Sequence, residues 1–250
     1  GYIMDSDKIL ENWKKLLWYV DEYFGKFDNL TKENTHRLFK HFEDRFIDAP
    51  ASSRPNHHNC FAGGLVDHML RVIDTSLKQK TLFKHMGVEV KASVQEIVMA
   101  AMFHDLGKIG DLDNPYYIRQ TDDWRRNKLN EWYTFNTKLE PLSVTDRALW
   151  LLQWFDIKIS QEVWKAIKLS DGMFDDGNTA LYRKHDTDNV LHYIIHFADW
   201  TSTVVEKQLY QQSLEGVDNG YQEGAPKDRN ITDKKIQNMK DKFSELFPNG

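Results

Sequence analysis

Through most of the chain apolar residues recur at spacings of three and four, the pattern of helices that bury one face. Ile9, Trp13, Leu16, Leu17, Val20 and Phe24 form one series, and Leu38, Phe39, Phe42 and Phe46 a second, so residues 1–48 read as an N-terminal helical pair. Residues 49–64, APASSRPNHHNCFAGG, interrupt the pattern with two prolines, a glycine pair and small polar residues, which predicts a long loop. A helix over 65–80 follows. Ser93 with Glu96 three residues on is a capping-box start for a helix over 94–106, with Ile97, Val98, Ala101 and Met102 as its buried stripe and Gly107 as its stop.

The period then changes. Within 111–138 the segments PYYIRQ and EWYTFN are aromatic and β-prone and flank the charged DDWRRNKLN, so a small hairpin or lid insertion is expected. Ser143 and Ser160 each precede an apolar helical run, and SDGMFDDGN at 170–178 is a turn-rich break. The last long helix begins near 189, with Leu191, Ile194, Ile195, Ala198 and Trp200 facing inward. Residues 214–230 read as an exposed loop, and Thr232 as the cap of a final amphipathic helix through 247. The fold class is therefore predominantly helical, with a core over 49–212 and a loop and helix over 213–250.

Composition narrows the class. At 250 residues, 40% hydrophobic and 13% aromatic, the chain can bury a substantial core. A single cysteine, Cys60, permits no internal disulfide, suits a reducing cytoplasm and leaves His and carboxylate as the side chains for any metal. The net charge of −5 gives no basic excess for extended duplex nucleic acid. No apolar run reaches membrane-spanning length and GYIMDSDKIL lacks a secretory pattern, so a cytoplasmic protein without a membrane partner is expected. The Trp-rich stretch 150–164 reads as core packing rather than an interface, and oligomeric state carries no signal.

Candidate chemistry begins at FHDLGK. His104 and Asp105 close an apolar run, and adjacent helical side chains diverge by about 100°, so both reach one ion only beyond the helix end and with partners from elsewhere. His68, near the start of its helix, is the best partner. Asp199, a carboxylate within an apolar helix, is the second, because a buried Asp without a cation or hydrogen-bond donor costs several kcal/mol. His68, His104, Asp105 and Asp199 together offer two imidazoles and two carboxylates, a mixed set that suits one divalent ion such as Mn, Fe, Co, Ni or Zn, with Mg also admissible.

In that order and context, His68, the His104-Asp105 pair and Asp199 resemble the HD-domain superfamily of metal-dependent phosphohydrolases. The resemblance spans about residues 49 to 205. APASSRPNHHNCFAGGLVDHMLRV is similar to the APAS…H…GGL…H opening of a branch common in phage and bacterial genomes, and FHDLGKIG to its HDLxKI segment. It implies an all-α HD-domain helical bundle, one metal held by those four residues, phosphate-ester hydrolysis and, for a phage-encoded member, the host cytoplasm. Dinuclear members carry two further His. Here PLSVTDRAL at 141–149 and LSDGMF with Ser170 and Asp171 stand at those places, which favours a mononuclear site over a di-iron oxygenase.

The expected activity is cleavage of a nucleotide or related small phosphate ester by metal-activated water. Lys108 offers positive charge to phosphate, His58 lies in the loop ahead of His68, and Asp171 is a candidate for proton transfer. Arg54, with Arg119, Arg125, Arg126 and Lys128 of the lid, could clamp a polyanion while Tyr116, Tyr117, Trp124 or Trp132 stack on a base. Against these stand plainer readings: a basic cluster is commonly a solvated face, lid aromatics are commonly core, and His196 is more often packed than ligating. The alternatives are a phosphodiesterase for cyclic or short oligonucleotides and a non-catalytic nucleotide-binding regulator on the same scaffold.

Overall fold

The structure, a computed structural model, describes residues 4–55, 57–172, 176–182, 189–218 and 233–246. It is mostly helical. The helices are α1 (Ser6–Tyr23), α2 (Asn29–His41), α3 (Glu43–Asp48), α4 (Gly64–His85), α5 (Val94–Phe103), α6 (Asp123–Leu129), α7 (Val144–Trp154), α8 (Gln161–Lys168), α9 (Thr179–Tyr182), α10 (Leu191–Asp218) and α11 (Asp233–Leu246). The strands β1 (Tyr117–Arg119) and β2 (Tyr133–Phe135) pair antiparallel, Ile118 opposite Thr134, with α6 carried between them. Among the described residues no helix is long and apolar enough to cross a membrane.

Local signals set several helix starts. The Ser93 hydroxyl accepts from the Glu96 N–H while the Glu96 carboxylate accepts from the Ser93 N–H, the reciprocal capping box. Ser143 and Ser160 cap α7 and α8 by accepting from the N–H groups of Asp146 and Val163. Asp5 and Asp28 do the same for α1 and α2. Such caps satisfy donors that a first turn leaves open, each worth about 1 kcal/mol.

One continuous core runs from Ile9 on α1 to Met239 on α11. Trp13, Phe39 and Phe46 meet edge-on or tilted, with Phe39 and Phe46 centroids 5.1 Å apart. Each such fully buried Phe contributes roughly 2 kcal/mol or more by leaving water. At the centre, α4 packs on α5 and α10, and α10 also packs on α8. These contacts bring the third turn of α10 against the start of α4 and the end of α5.

Several boundaries differ from the sequence expectation. The helix expected over 65–80 continues to His85, and α10 extends to Asp218 where a loop was expected. Thr232 and 219–231 lie outside the described residues. Trp200 is 61% exposed rather than inward, since it stands nine residues and hence about 180° from the buried Leu191 on a helix. Trp154 and Trp164 are likewise exposed rather than core, while Trp150 is partly covered and stacks on Trp154.

The helix expected over 94–106 ends at Phe103, and Gly107 is not its stop. Residues Leu106–Ile109 form a 3₁₀ turn in which the Lys108 N–H donates to the Asp105 carbonyl. A Cβ on Gly107 would lie 1.9 Å from the Val144 carbonyl oxygen, so the start of α7 presses directly on this turn. Asp105, just before this turn, stands off the helical spiral at φ −106°, ψ 11°.

Candidate metal centre

Three elements deliver the four ligand candidates. His68 comes from the second turn of α4, His104 and Asp105 from the chain leaving α5, and Asp199 from the third turn of α10. His68 and His104 are fully buried, Asp105 nearly so, and the Asp199 side chain is 22% exposed. Position is fixed at the α4 start by close packing: a Cβ on Gly64 would lie 2.3 Å from the Asn59 carbonyl oxygen.

The ligand atoms face one another. His68 Nε2 lies 2.9 Å from Asp199 Oδ1 and 3.4 Å from Asp105 Oδ2, and His104 Nε2 lies 3.5 Å from each of those oxygens. Bonds of about 2.1 Å to a shared ion separate neighbouring ligands by roughly 3.0 Å in octahedral and 3.4 Å in tetrahedral geometry. The four residues are therefore close enough to hold a metal ion. With both imidazoles neutral the set carries −2, which a divalent cation cancels.

The tautomer of His104 agrees. Its Nδ1 donates to the Ala101 carbonyl at 2.6 Å, which leaves Nε2 as the bare nitrogen, buried and without a hydrogen-bond partner. An orphaned buried acceptor aimed at two carboxylates is costly unless a cation or proton joins them. Adjacent His104 and Asp105 converge because Asp105, at φ −106°, ψ 11°, has left the helix ahead of the Leu106–Ile109 turn.

Without a cation, protons fill that role. Burial pushes the His68 imidazole down, but the Glu206 charge, hydrogen bonds to Asp199 and Glu206 and the Asp199 charge outweigh it and raise its pKa to about 10. His104 is raised in the same way, burial being overcome by Asp105 and Asp199. Burial raises Asp105 and Asp199, yet Lys108 and His104 hold Asp105 low, and the facing His104 and His68 imidazoles hold Asp199 well below the carboxylate range. A proton on Nε2 of either imidazole thus stands where a metal would bind.

The catalytic candidates fall around this cluster. Lys108 Nζ donates to the Ala51 carbonyl at 2.7 Å and pairs with Asp105 Oδ2 at 3.2 Å; burial disfavours its charge, but Asp105 keeps it protonated. The His58 ring lies tilted against that of His68, centroids 4.7 Å apart, with Nε2 buried and unbonded. Burial, then the His68 and Lys108 charges, lower its pKa to about 2, so it is neutral. Asp171 remains solvent-exposed, yet partial desolvation and the charges of Asp105 and Asp199 raise its carboxyl.

The substrate candidates divide. A cavity of about 220 Å³ is lined by Arg54, His57, His58, Lys108, Tyr116, Tyr117 and Phe135, among others. A second, of about 250 Å³, contains Arg119, Lys108 and Tyr133. Arg119 pairs with Asp48 at 2.9 Å and lies over the Tyr133 ring. Arg125, Arg126 and Lys128 line neither cavity: they sit on α6, which buries no residue, where Arg125 pairs with Glu131 and Arg126 with Asp123. Of the stacking candidates, Tyr116 and Tyr117 line the first cavity, Trp124 is 60% exposed, and Trp132 donates to Asn130.

Some participants went unread in the sequence. Glu206 is 1% exposed, with Oε1 2.7 Å and Oε2 3.0 Å from His68 Nδ1. It stands seven residues after Asp199, two turns along the same helix face, a spacing that could have singled it out. Arg71 pairs with both Glu206 and Asp67, and Asn59 donates to Asp67. A second group, His58, His68 and Glu206, also brings ligand atoms together, but the 2.7 Å contact there is that of a charge-assisted hydrogen bond. His196 Nδ1 lies 3.0 Å from the Ser170 carbonyl oxygen.

No protein-family model, curated protein or solved structure matches the chain. The case for function rests on these side chains.

Proposed function

We propose that the chain is a metal-dependent phosphohydrolase of the HD type, acting on a nucleotide or related small phosphate ester. The observation that carries this reading is the set of separations, 2.9 to 3.5 Å, among His68, His104, Asp105 and Asp199. These four would hold one divalent ion, which supplies Lewis acidity toward a phosphoryl oxygen and an activated water. The other residues bind, orient and move protons.

Arg54 and Lys108 give the adjoining cavity positive charge for a phosphate, Lys108 at a fixed place because Asp105 and the Ala51 carbonyl hold it. Tyr116, Tyr117 and Phe135 form an aromatic wall on which a base can lie, with Tyr117 and Phe135 rings 5.8 Å apart. Asp171, whose carboxyl is raised by desolvation and by the charges of Asp105 and Asp199, is the candidate to pass a proton to a leaving oxygen. Neutral His58 accepts or donates a hydrogen bond at the cavity wall without adding charge.

Phosphate release from nucleoside mono-, di- and triphosphates, cyclic nucleotides and short oligonucleotides, each with Mn²⁺, Co²⁺, Ni²⁺, Zn²⁺, Fe²⁺ or Mg²⁺, tests the reading. Hydrolysis of a monomeric nucleotide is the expected outcome. Cleavage confined to cyclic or oligomeric substrates would replace it with a phosphodiesterase, and nucleotide binding without turnover under every metal would replace it with a regulator.

A further inference from the structure

We propose that Glu206, steadied by Arg71, is a positioning residue that keeps His68 protonated at Nδ1 and bare at Nε2, and so sets the metal affinity of the whole cluster. The inference rests on the metal-binding reading above and adds a residue to it. Both Glu206 carboxylate oxygens lie within 3.0 Å of His68 Nδ1, in a site with 1% exposure. With that proton held, Nε2 is the nitrogen left to face Asp199 and Asp105.

The two imidazoles are supported unequally. His104 donates to a neutral carbonyl, that of Ala101, whereas His68 donates to a carboxylate. A carboxylate acceptor raises the electron density of the ring and makes its far nitrogen the stronger ligand. His68 is therefore the ligand whose strength this chain tunes.

Glu206 is itself held. Arg71 Nη1 lies 3.4 Å from Glu206 Oε2 and 2.8 Å from Asp67 Oδ2, and Asn59 Nδ2 donates to the same Asp67 oxygen at 2.8 Å. The Asn59 carbonyl accepts from the Ala51 N–H, and the Ala51 carbonyl accepts from Lys108, which pairs with Asp105. The path from His68 through Glu206, Arg71, Asp67, Asn59, Ala51 and Lys108 thus returns to a second ligand. It is joined by polar contacts of 2.7 to 3.4 Å at every step, so Ala51 and Asn59, which stand beside cavity-lining residues of the same loop, also brace the ligands.

The test is a Co²⁺ titration of the metal-stripped full chain, followed by visible absorption, on wild type, Glu206→Ala and Glu206→Gln, alongside melting of the metal-free proteins. Glu206→Ala should weaken Co²⁺ binding by about 10- to 100-fold. Glu206→Gln, whose amide oxygen still accepts from Nδ1–H, should weaken it less. Should Glu206→Ala fail to fold, a measurable weakening in Glu206→Gln supports the proposal and unchanged affinity overturns it. A lowered melting temperature with wild-type Co²⁺ affinity would make Glu206 merely structural and overturn it too. Wild type that binds no Co²⁺ would remove the metal reading itself; wild type that binds, with both variants unaffected, removes this inference alone.

Discussion

The ligand cluster and the hairpin insertion both gather charged residues, yet they are built in opposite ways. At the cluster, His68, His104 and Asp105 are buried, and the ring nitrogens and Asp105 Oδ2 face another ligand or a group that braces one. On α6, Arg125 and Lys128 stand in solvent, and Arg125 and Arg126 answer acids of their own insertion. Charge in water is cheap and carries little information; charge in a core must have a reason. On the proposed function chemistry belongs to the cluster, and α6 is a solvated face.

The largest effect that would sharpen this contrast is at the cluster. Replacing His104 by Ala should lower phosphate release roughly a thousand-fold or more, because an interaction needed at the reacting centre is lost. A fall of only a few-fold would detach the cluster from the activity.

Next comes pH. His68 has a folded pKa raised from 6.5 to about 10, so its contribution to the metal-free fold is full below 6.5 and is lost as pH rises toward 10. Metal-free protein should therefore lose up to about 1.4 kcal/mol of stability per pH unit for that imidazole between roughly pH 6.5 and 10, most steeply midway between them. At saturating metal this slope should vanish, since the loaded fold and the unfolded chain then carry the same imidazoles unprotonated. Denaturant unfolding at several pH values, with and without Mn²⁺, reads both slopes; equal slopes would mean that metal does not displace these protons.

The smallest effect is expected at the insertion. Replacing Arg125, Arg126 and Lys128 together by Ala should change kcat/KM less than about two-fold and each site's stability by no more than about 0.5 kcal/mol. A ten-fold rise in KM would restore the insertion as a substrate clamp and erase the difference between the two regions.

How much the sequence disclosed follows the same division. Ser93, Ser143 and Ser160 announced their helices because a cap is a local contact, and the aromatic alternation around 117 and 133 announced the hairpin. Asp199 was legible because a carboxylate among Ile194, Ile195 and Ala198 breaks the apolar face. What stayed hidden depends on distant parts of the chain. Val144 closes on Gly107 past the end of α5 at Phe103, Arg119 is held by Asp48 71 residues away, and Glu206 finds His68 across 138 residues. Helical period gives the face of a residue and is silent on which face it will meet.

The central claim is that His68, His104, Asp105 and Asp199 hold one cation, and equilibrium dialysis of the metal-stripped chain against Mn²⁺ or Co²⁺ tests it most directly. One ion per chain is predicted for wild type, and none for His104→Ala or Asp199→Ala variants whose circular dichroism matches wild type. Wild type that takes up no ion at saturating metal, or variants that bind as wild type does, would contradict it.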